Sequence, residues 1–287
     1  MKKTRKMLCL FTMFLSFFTS CQKQVTDTDN KADSEIILAS ADDLEADIVF
    51  NDVYNNVGNV NEDIAFGETQ IGADTQSNDP MSPHCYTITI TPTTLGVFPK
   101  TVTIDFGAGC LCKDGKTRKG KIITIFTGRL KIPTSKAITT FDGYFVNNIH
   151  VEGTHVIQNN SSSDVRIITR TVTDGKLTKP NNNFILWNAT HTNTQVAGSG
   201  TPNYHLDDEF TITGNATGQN NRNAKTSTWS RLIVEPLHRK TNCKWFDKGT
   251  VDITHNSHDA MLDFGDGTCN NQAMVTYNGI TKEITLP

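Results

Sequence analysis

The chain has 287 residues, 36% of them hydrophobic and 20% charged, with a formal net charge of −3. That length allows one large β domain or two small ones. The acidic balance argues against nucleic acid as a partner, because such a partner selects a basic face.

The first twenty residues read as a targeting segment. Lys2, Lys3, Arg5 and Lys6 make a basic start, and residues 7–18 are an apolar run of twelve, too short to span a membrane. The run ends in Phe18-Thr19-Ser20 followed by Cys21. Secretory cleavage favours small residues at −3 and −1, whereas a cysteine directly after small residues resembles the lipobox of bacterial lipoproteins, with Phe18 in the usual place of leucine. The resemblance implies removal of residues 1–20 and attachment of diacylglycerol and an acyl chain such as palmitate to Cys21. Several acyl chains make a stable anchor, at ~0.8 kcal/mol per buried methylene. Removing the segment takes the net charge from −3 to −7. No later apolar run approaches eighteen residues, so the lipid is the expected membrane attachment.

Residues 21–39 are expected to be a flexible tether, with the polar, acidic stretch 22–35 as its solvated part. Residues 40–57 (SADDLEADIVFNDVYNNV) are the one convincing helix. Ser40 is its expected N-cap, and Asp42, Asp43 and Glu45 sit at the positive helix end. Leu44, Ile48, Val53 and Val57 share a face that Val49, Phe50 and Tyr54 widen, and Gly58 suits a stop. Residues 58–83 are rich in Gly, Asn and Asp and read as a loop.

From residue 85 onward the pattern is strand and turn. The next segment, DFGAGC, contains Asp105, Gly107, Gly109 and Cys110, and it recurs near the end as DFGDGTC, with Asp263, Gly265, Gly267 and Cys269. Each copy closes a strand pattern, and its glycines permit the positive φ of a tight turn. Each also has a cysteine 20 residues before its Asp, Cys85 and Cys243. That offset fits one β-hairpin, whose returning end would bring Cys110 or Cys112 to Cys85, and Cys269 to Cys243. Two disulfides closing equivalent hairpins are therefore expected, with the Cys85 partner open. A zinc site is disfavoured, since Cys110-Leu111-Cys112 has one intervening residue where zinc knuckles use two or more. The kinase meaning of DFG fails for want of a catalytic loop and a Gly-rich nucleotide loop.

Between the copies, strands are expected at residues 122–126, 141–158, 166–172, 184–196, 209–217, 226–234 and 250–254. Turns are expected at Asp114-Gly115, Asp142-Gly143, Asp174-Gly175, residues 180–183 and residues 198–200. With no alternating helices, ten to thirteen strands imply an antiparallel meander, which must curl or split to hide its faces. The expected fold is all-β, a single domain over residues 40–287, with a strongly curved sheet or incomplete barrel and the amphipathic helix on its concave side.

Little in the sequence points to catalysis. His255 and His258 flank a polar turn without helical spacing, His150 and His155 differ in strand parity, and neither GxSxG nor HExxH occurs. Asp207-Asp208-Glu209 reads as a solvated turn and not a glycosidase pair. Asp263 and Asp266 offer too few oxygens for calcium. Trp187, Trp229, Trp245, Tyr144 and Tyr204 are candidate sugar-stacking platforms, with core packing as the commoner fate. No enzyme, cofactor or metal is expected.

The runs at residues 98–130, 211–229 and 263–286, the paired DFGxGC-type segments above all, resemble an uncharacterised family of Gram-negative bacterial lipoproteins across residues 41–287. The resemblance implies an all-β lipid-anchored protein of the outer membrane, facing periplasm or exterior, and supplies no catalytic residues. The expected function is non-enzymatic binding or a structural role at the cell envelope, including shelter for an apolar ligand; the alternative is a surface glycan-binding or adhesive module. Sheltering an acyl chain would require an apolar pocket on the concave face that the helix leaves unfilled.

Overall fold

A computed structural model describes residues 27–66, 85–162, 165–201, 205–256 and 258–286. Residues 1–20, expected as a targeting segment, and Cys21 lie outside the described residues, as does Tyr204. The elements are α1 (Asp27–Phe66), β1 (Thr87–Thr91), β2 (Lys100–Asp105), β3 (Cys110–Leu111), β4 (Thr117–Phe126), β5 (Lys136–Val146), β6 (Ile149–Asn159) and β7 (Ile167–Thr178). They continue with β8 (Phe184–Ala197), β9 (Glu209–Arg222), β10 (Lys225–Lys240), β11 (Lys248–His255), β12 (His258–Asp266), β13 (Gln272–Tyr277) and β14 (Ile280–Thr285). All fourteen strands form one antiparallel sheet in chain order from β1 to β14, except that the short β3 pairs only with β4. The sheet is curved and open, with β1 and β14 as its edges.

The curvature arises at bulges. Register shifts interrupt β4–β5 after Lys119, β5–β6 after Thr139, β6–β7 after Glu152 and β7–β8 after Val172. An extra residue on one strand bends that strand and strengthens its twist. Gly120 (φ 77°) and Gly153 (φ 112°) stand in this series, where neighbouring backbone leaves no room for a side chain. A Cβ on Gly120 would meet the Gly143 carbonyl oxygen at 1.9 Å. Asp142-Gly143 and Asp174-Gly175, expected as turns, are bulges inside β5 and β7 instead. The turn between β5 and β6 is Asn147-Asn148, with φ of 47° and 65°. The expected strand 141–158 is therefore two strands.

The helix lies on one face of this sheet. It is far longer than expected: it starts at Asp27 and runs through Gly58 to Phe66, so residues 27–39 of the expected tether are helical. Ser40 is no N-cap; its hydroxyl donates to the Ile36 carbonyl one turn earlier, at 2.8 Å. The buried stripe is Ile36, Ala39, Asp42, Asp43, Ala46, Val49, Phe50, Val53 and Val57. Leu44 and Ile48, expected on that face, point outward with Ile37. The apolar residues of this stripe from Ala39 to Val57 and the inward residues of β2 to β10, including Ile122, Tyr144, Leu177, Trp187 and Trp229, form the main core, while Ile36 packs separately with Ala260 and Tyr277. A second cluster joins Ile212, Leu237, Val251, Ile253 and Phe264, with Phe246 packed against it.

Replacing Gly120 with Ala combines strained φ with a backbone collision, so it should cost about 3 kcal/mol in denaturant-monitored unfolding. Gly107→Ala, at φ 60° but with open space around the new Cβ, should cost only about 1 kcal/mol.

Candidate functional site

The helix is held to the sheet by a polar seam set into the apolar core. Near the middle of α1, Asp42 accepts hydrogen bonds from Asn220 Nδ2 (2.6 Å) and from Arg222. Asp43 Oδ1 accepts from the indole N–H groups of Trp187 (2.8 Å) and Trp229 (3.4 Å), and its other oxygen lies 2.9 Å from Arg231. Glu45 pairs with Lys179 at 2.7 Å, and Asn51 accepts from Arg170 at 2.8 Å. Asp52 then receives Arg118 (2.6 and 3.2 Å) and Lys116 (2.6 Å) from β4 and its preceding turn. Phe50 stacks on Trp187 at 5.6 Å between ring centres. Ile36 thus packs with Ala260 of β12 and Tyr277 of β13, Asp42 and Asp43 meet β8 to β10, and Asp52 meets β4, so the helix crosses the strands.

The electrostatics follow from burial. Asp43 is only 2% exposed, and burial pushes its carboxyl up while Arg231 and the indoles oppose that shift. Burial holds His155 down at about 3 and His191 down at about 4, so both are neutral near pH 7. In keeping with this, Arg231 donates to His191 Nε2. A cleft beside them, lined by Asp47, Phe50, Asn51, His155, Arg170 and His191 among others, has room for about one water molecule. It suits a small polar species and is far too small for an acyl chain. Where an apolar ligand would have to lie, the structure has α1.

The two repeated segments share their local contacts but not their secondary structure: the first leaves β2 as a turn after Asp105, whereas Asp263 and Gly265, expected as a turn, stay inside β12. Gly107 N donates to Asp105 Oδ1 and Gly265 N donates to Asp263 Oδ1, each at 2.8 Å. The next residue of each, Phe106 and Phe264, is buried edge-on to an aromatic ring, Tyr86 in one case and Phe246 in the other. Gly107, Gly109, Gly265 and Gly267 all have positive φ. The hairpin β1–β2 carries the first copy and β11–β12 the second. Cys243 and Cys269 form a disulfide with Cα atoms 5.9 Å apart. Cys85 meets both candidates, with Cα–Cα separations of 5.5 Å to Cys110 and 5.4 Å to Cys112. The three sulfurs lie within 4.8 Å of one another, a set that could also hold a metal if all were thiolates.

Other sequence candidates do not converge. His255 is buried beneath Ser227 and not solvated as expected, while His258 is exposed against Tyr277. Of the three adjacent acids, Asp207 accepts from Thr201, the buried Asp208 from Gln195, and Glu209 faces His238 at 3.1 Å. Asp266 accepts from Thr268 N, and hydrogen bonds from Thr268, its side chain first and its backbone second, lower the Asp266 pKa. Trp187, Trp229 and Tyr144 are core residues, and Trp245 is half-buried under Lys244. Sequence reasoning missed the inward arginines Arg118, Arg170 and Arg231, and the buried Asp247 beside His238 at 2.6 Å. For two of the arginines the signal was present: Arg170 lies between Ile168 and Val172, and Arg231 between Trp229 and Ile233, in alternating strands, whereas Arg118 between Lys116 and Gly120 carries no such mark.

Comparison with protein-family models, curated proteins and solved structures gives no match.

Asp43→Ala would leave a guanidinium and two indole N–H groups buried without their acceptor, and should cost about 3–5 kcal/mol in equilibrium unfolding. Acid should weaken the fold through His155 and His191. Their unfolded forms take a proton near 6.5 and the folded forms only near 3 and 4, so stability is full above 6.5 and falls as pH drops toward 4. Asp43, shifted upward, acts in the opposite sense, being favoured below 3.8. A series of urea titrations across this range should show the His155→Gln chain losing less stability on acidification than the parent.

Proposed function

We propose that this chain is a membrane-anchored bacterial lipoprotein of the cell envelope whose folded part has a binding or structural role and no catalytic one. The supporting observation is a pair of cysteine-closed ends with shared local contacts downstream of a lipobox-like leader. Disulfides persist in oxidising compartments, and the leader supplies the route to one. The titratable groups at the seam are committed to one another: Asp42 to Arg222, Asp43 to Arg231, Asp52 to Arg118. Such mutual pairing favours a structural reading of these acids and bases over catalysis.

The helix also bears on what is bound. An apolar occupant of the helix-bearing face would have to displace α1 and strip three buried arginine or indole clusters of their acceptors. Binding is therefore assigned to outward surfaces, among them the apolar stripe of Ile37, Leu44 and Ile48 on the solvent side of α1. The lipid on Cys21 would hold that surface close to the outer membrane.

Cys21→Ala should move the protein from the membrane to the soluble fraction. Intact mass of the parent, extracted from membranes, should show loss of residues 1–20 and added acyl mass on Cys21. Unchanged membrane retention of the variant, or a parent without acyl mass, would overturn the anchor.

A further inference from the structure

Five of the seven cysteines lie within the described fold, an odd number. Cys243 and Cys269 use two of them, leaving three sulfurs for one remaining crosslink. The local structure explains why neither Cys110 nor Cys112 is set aside. Cys110 and Leu111 form β3, paired with Arg118 and Thr117 of β4, and the ladder continues with Cys112 N donating to Lys116 O at 2.8 Å. On an extended strand, residues two apart point to the same side. Cys110 and Cys112 therefore face Cys85 together, while Leu111 between them is 72% exposed. Both Cα separations from Cys85 fall in the range that a disulfide spans without backbone movement. The two outer sulfurs are 4.0 Å apart with Cys85 Sγ between them. When Cys85 is bonded to Cys112, the Cys110 thiol has its own hydrogen-bond acceptor, the Cys85 carbonyl. Cys85 and Cys110 are half-buried, and Cys112 is the most enclosed of the three, so small molecules reach the Cys110 thiol more readily.

We propose that Cys85, Cys110 and Cys112 form a thiol–disulfide exchange centre, in which Cys85 is the constant partner of a crosslink that alternates between Cys110 and Cys112. Starting from Cys85–Cys110, the Cys112 thiolate attacks Cys85 Sγ; the Cys85–Cys112 bond forms, the Cys85–Cys110 bond breaks, and Cys110 leaves as the thiolate. One proton passes from the Cys112 thiol to solvent and one returns to Cys110, with no net oxidation. The thiol left over is a modification site for a small disulfide R–S–S–R: it forms a mixed disulfide with one R–S group and releases the other as R–S⁻. The crosslink that closes the first hairpin survives this capping, because Cys85 keeps one partner throughout.

The test uses the full-length chain purified without reductant. Acid quenching removes the thiolate and freezes exchange, after which free thiols are alkylated and the peptides mapped without reduction. Both Cys85–Cys110 with alkylated Cys112 and Cys85–Cys112 with alkylated Cys110 are expected, with Cys243 joined to Cys269. Incubating the native protein with oxidised glutathione should add one glutathione within this cluster, found on Cys110 in some chains and on Cys112 in others, and never on Cys85. Cys110→Ser and Cys112→Ser should each retain a Cys85 disulfide and lose the alternation. A single linkage in the parent, with only one of the two positions modified after prolonged incubation, would overturn the proposal. So would a protein whose three thiols are all free, or all shielded by a stoichiometric metal ion that a chelator removes.

Discussion

A carboxylate held between two indole N–H groups and a guanidinium is the constraint to which the rest of the molecule is fitted. Asp43 cannot be buried on an apolar sheet face without those donors, and they come from two different strands, Trp187 on β8 and both Trp229 and Arg231 on β10. One residue of helix rotation, about 100° by helix geometry, would swing Asp43 away and bring Leu44 onto three unsatisfied donors. Buried ionic groups add little net stability over apolar packing, but they make wrong registers expensive. Asp42 and Asp52 repeat the device toward either end of the buried stripe, so the helix is fixed in rotation and along its length.

The sheet supplies the matching surface because it bends. Successive bulges across β4 to β8 require backbone positions where no Cβ fits, and they turn the sheet around a helix that crosses it. An open sheet of this size has two edges to secure. Near each end, a hairpin whose second strand leads into Asp-Phe-Gly buries a phenylalanine and ties its neighbouring chain with cysteine. The sequence repeat is thus a repeat of local contacts, used once toward each side of the same sheet.

The cysteine cluster and the helix are not independent. Arg118, which pairs with Cys110 across the β3–β4 ladder, bridges Asp52 on the helix and Asp114 in the turn after Cys112. That pairing lowers the Asp114 pKa and holds the Arg118 guanidinium protonated well above its usual range. The hairpin that carries Cys110 and Cys112 is therefore anchored from below by the seam and from the side by Cys85. Exchange between the two sulfurs needs no larger movement, since both already share one face of the strand.

Much of this was legible in the chain. Alternating Thr, Ile and Val specify half-buried strands, the absence of intervening helical patterns specifies an antiparallel meander, and two cysteines at equal offsets from two DFG segments specify two alike hairpins. Those are local signals, and local sterics and burial decide them. Other features required the folded partner. Asp142-Gly143 has the composition of a turn, yet the neighbouring strands continue past it and make it a bulge. Leu44 and Ile48 look like the helix's core face, yet the sheet opposite carries Arg231 and two indole donors, so Asp42 and Asp43 turn inward. Which side of a helix is buried depends on what lies across from it, and that is set by contacts more than a hundred residues apart, beyond the reach of any pattern in the helix alone.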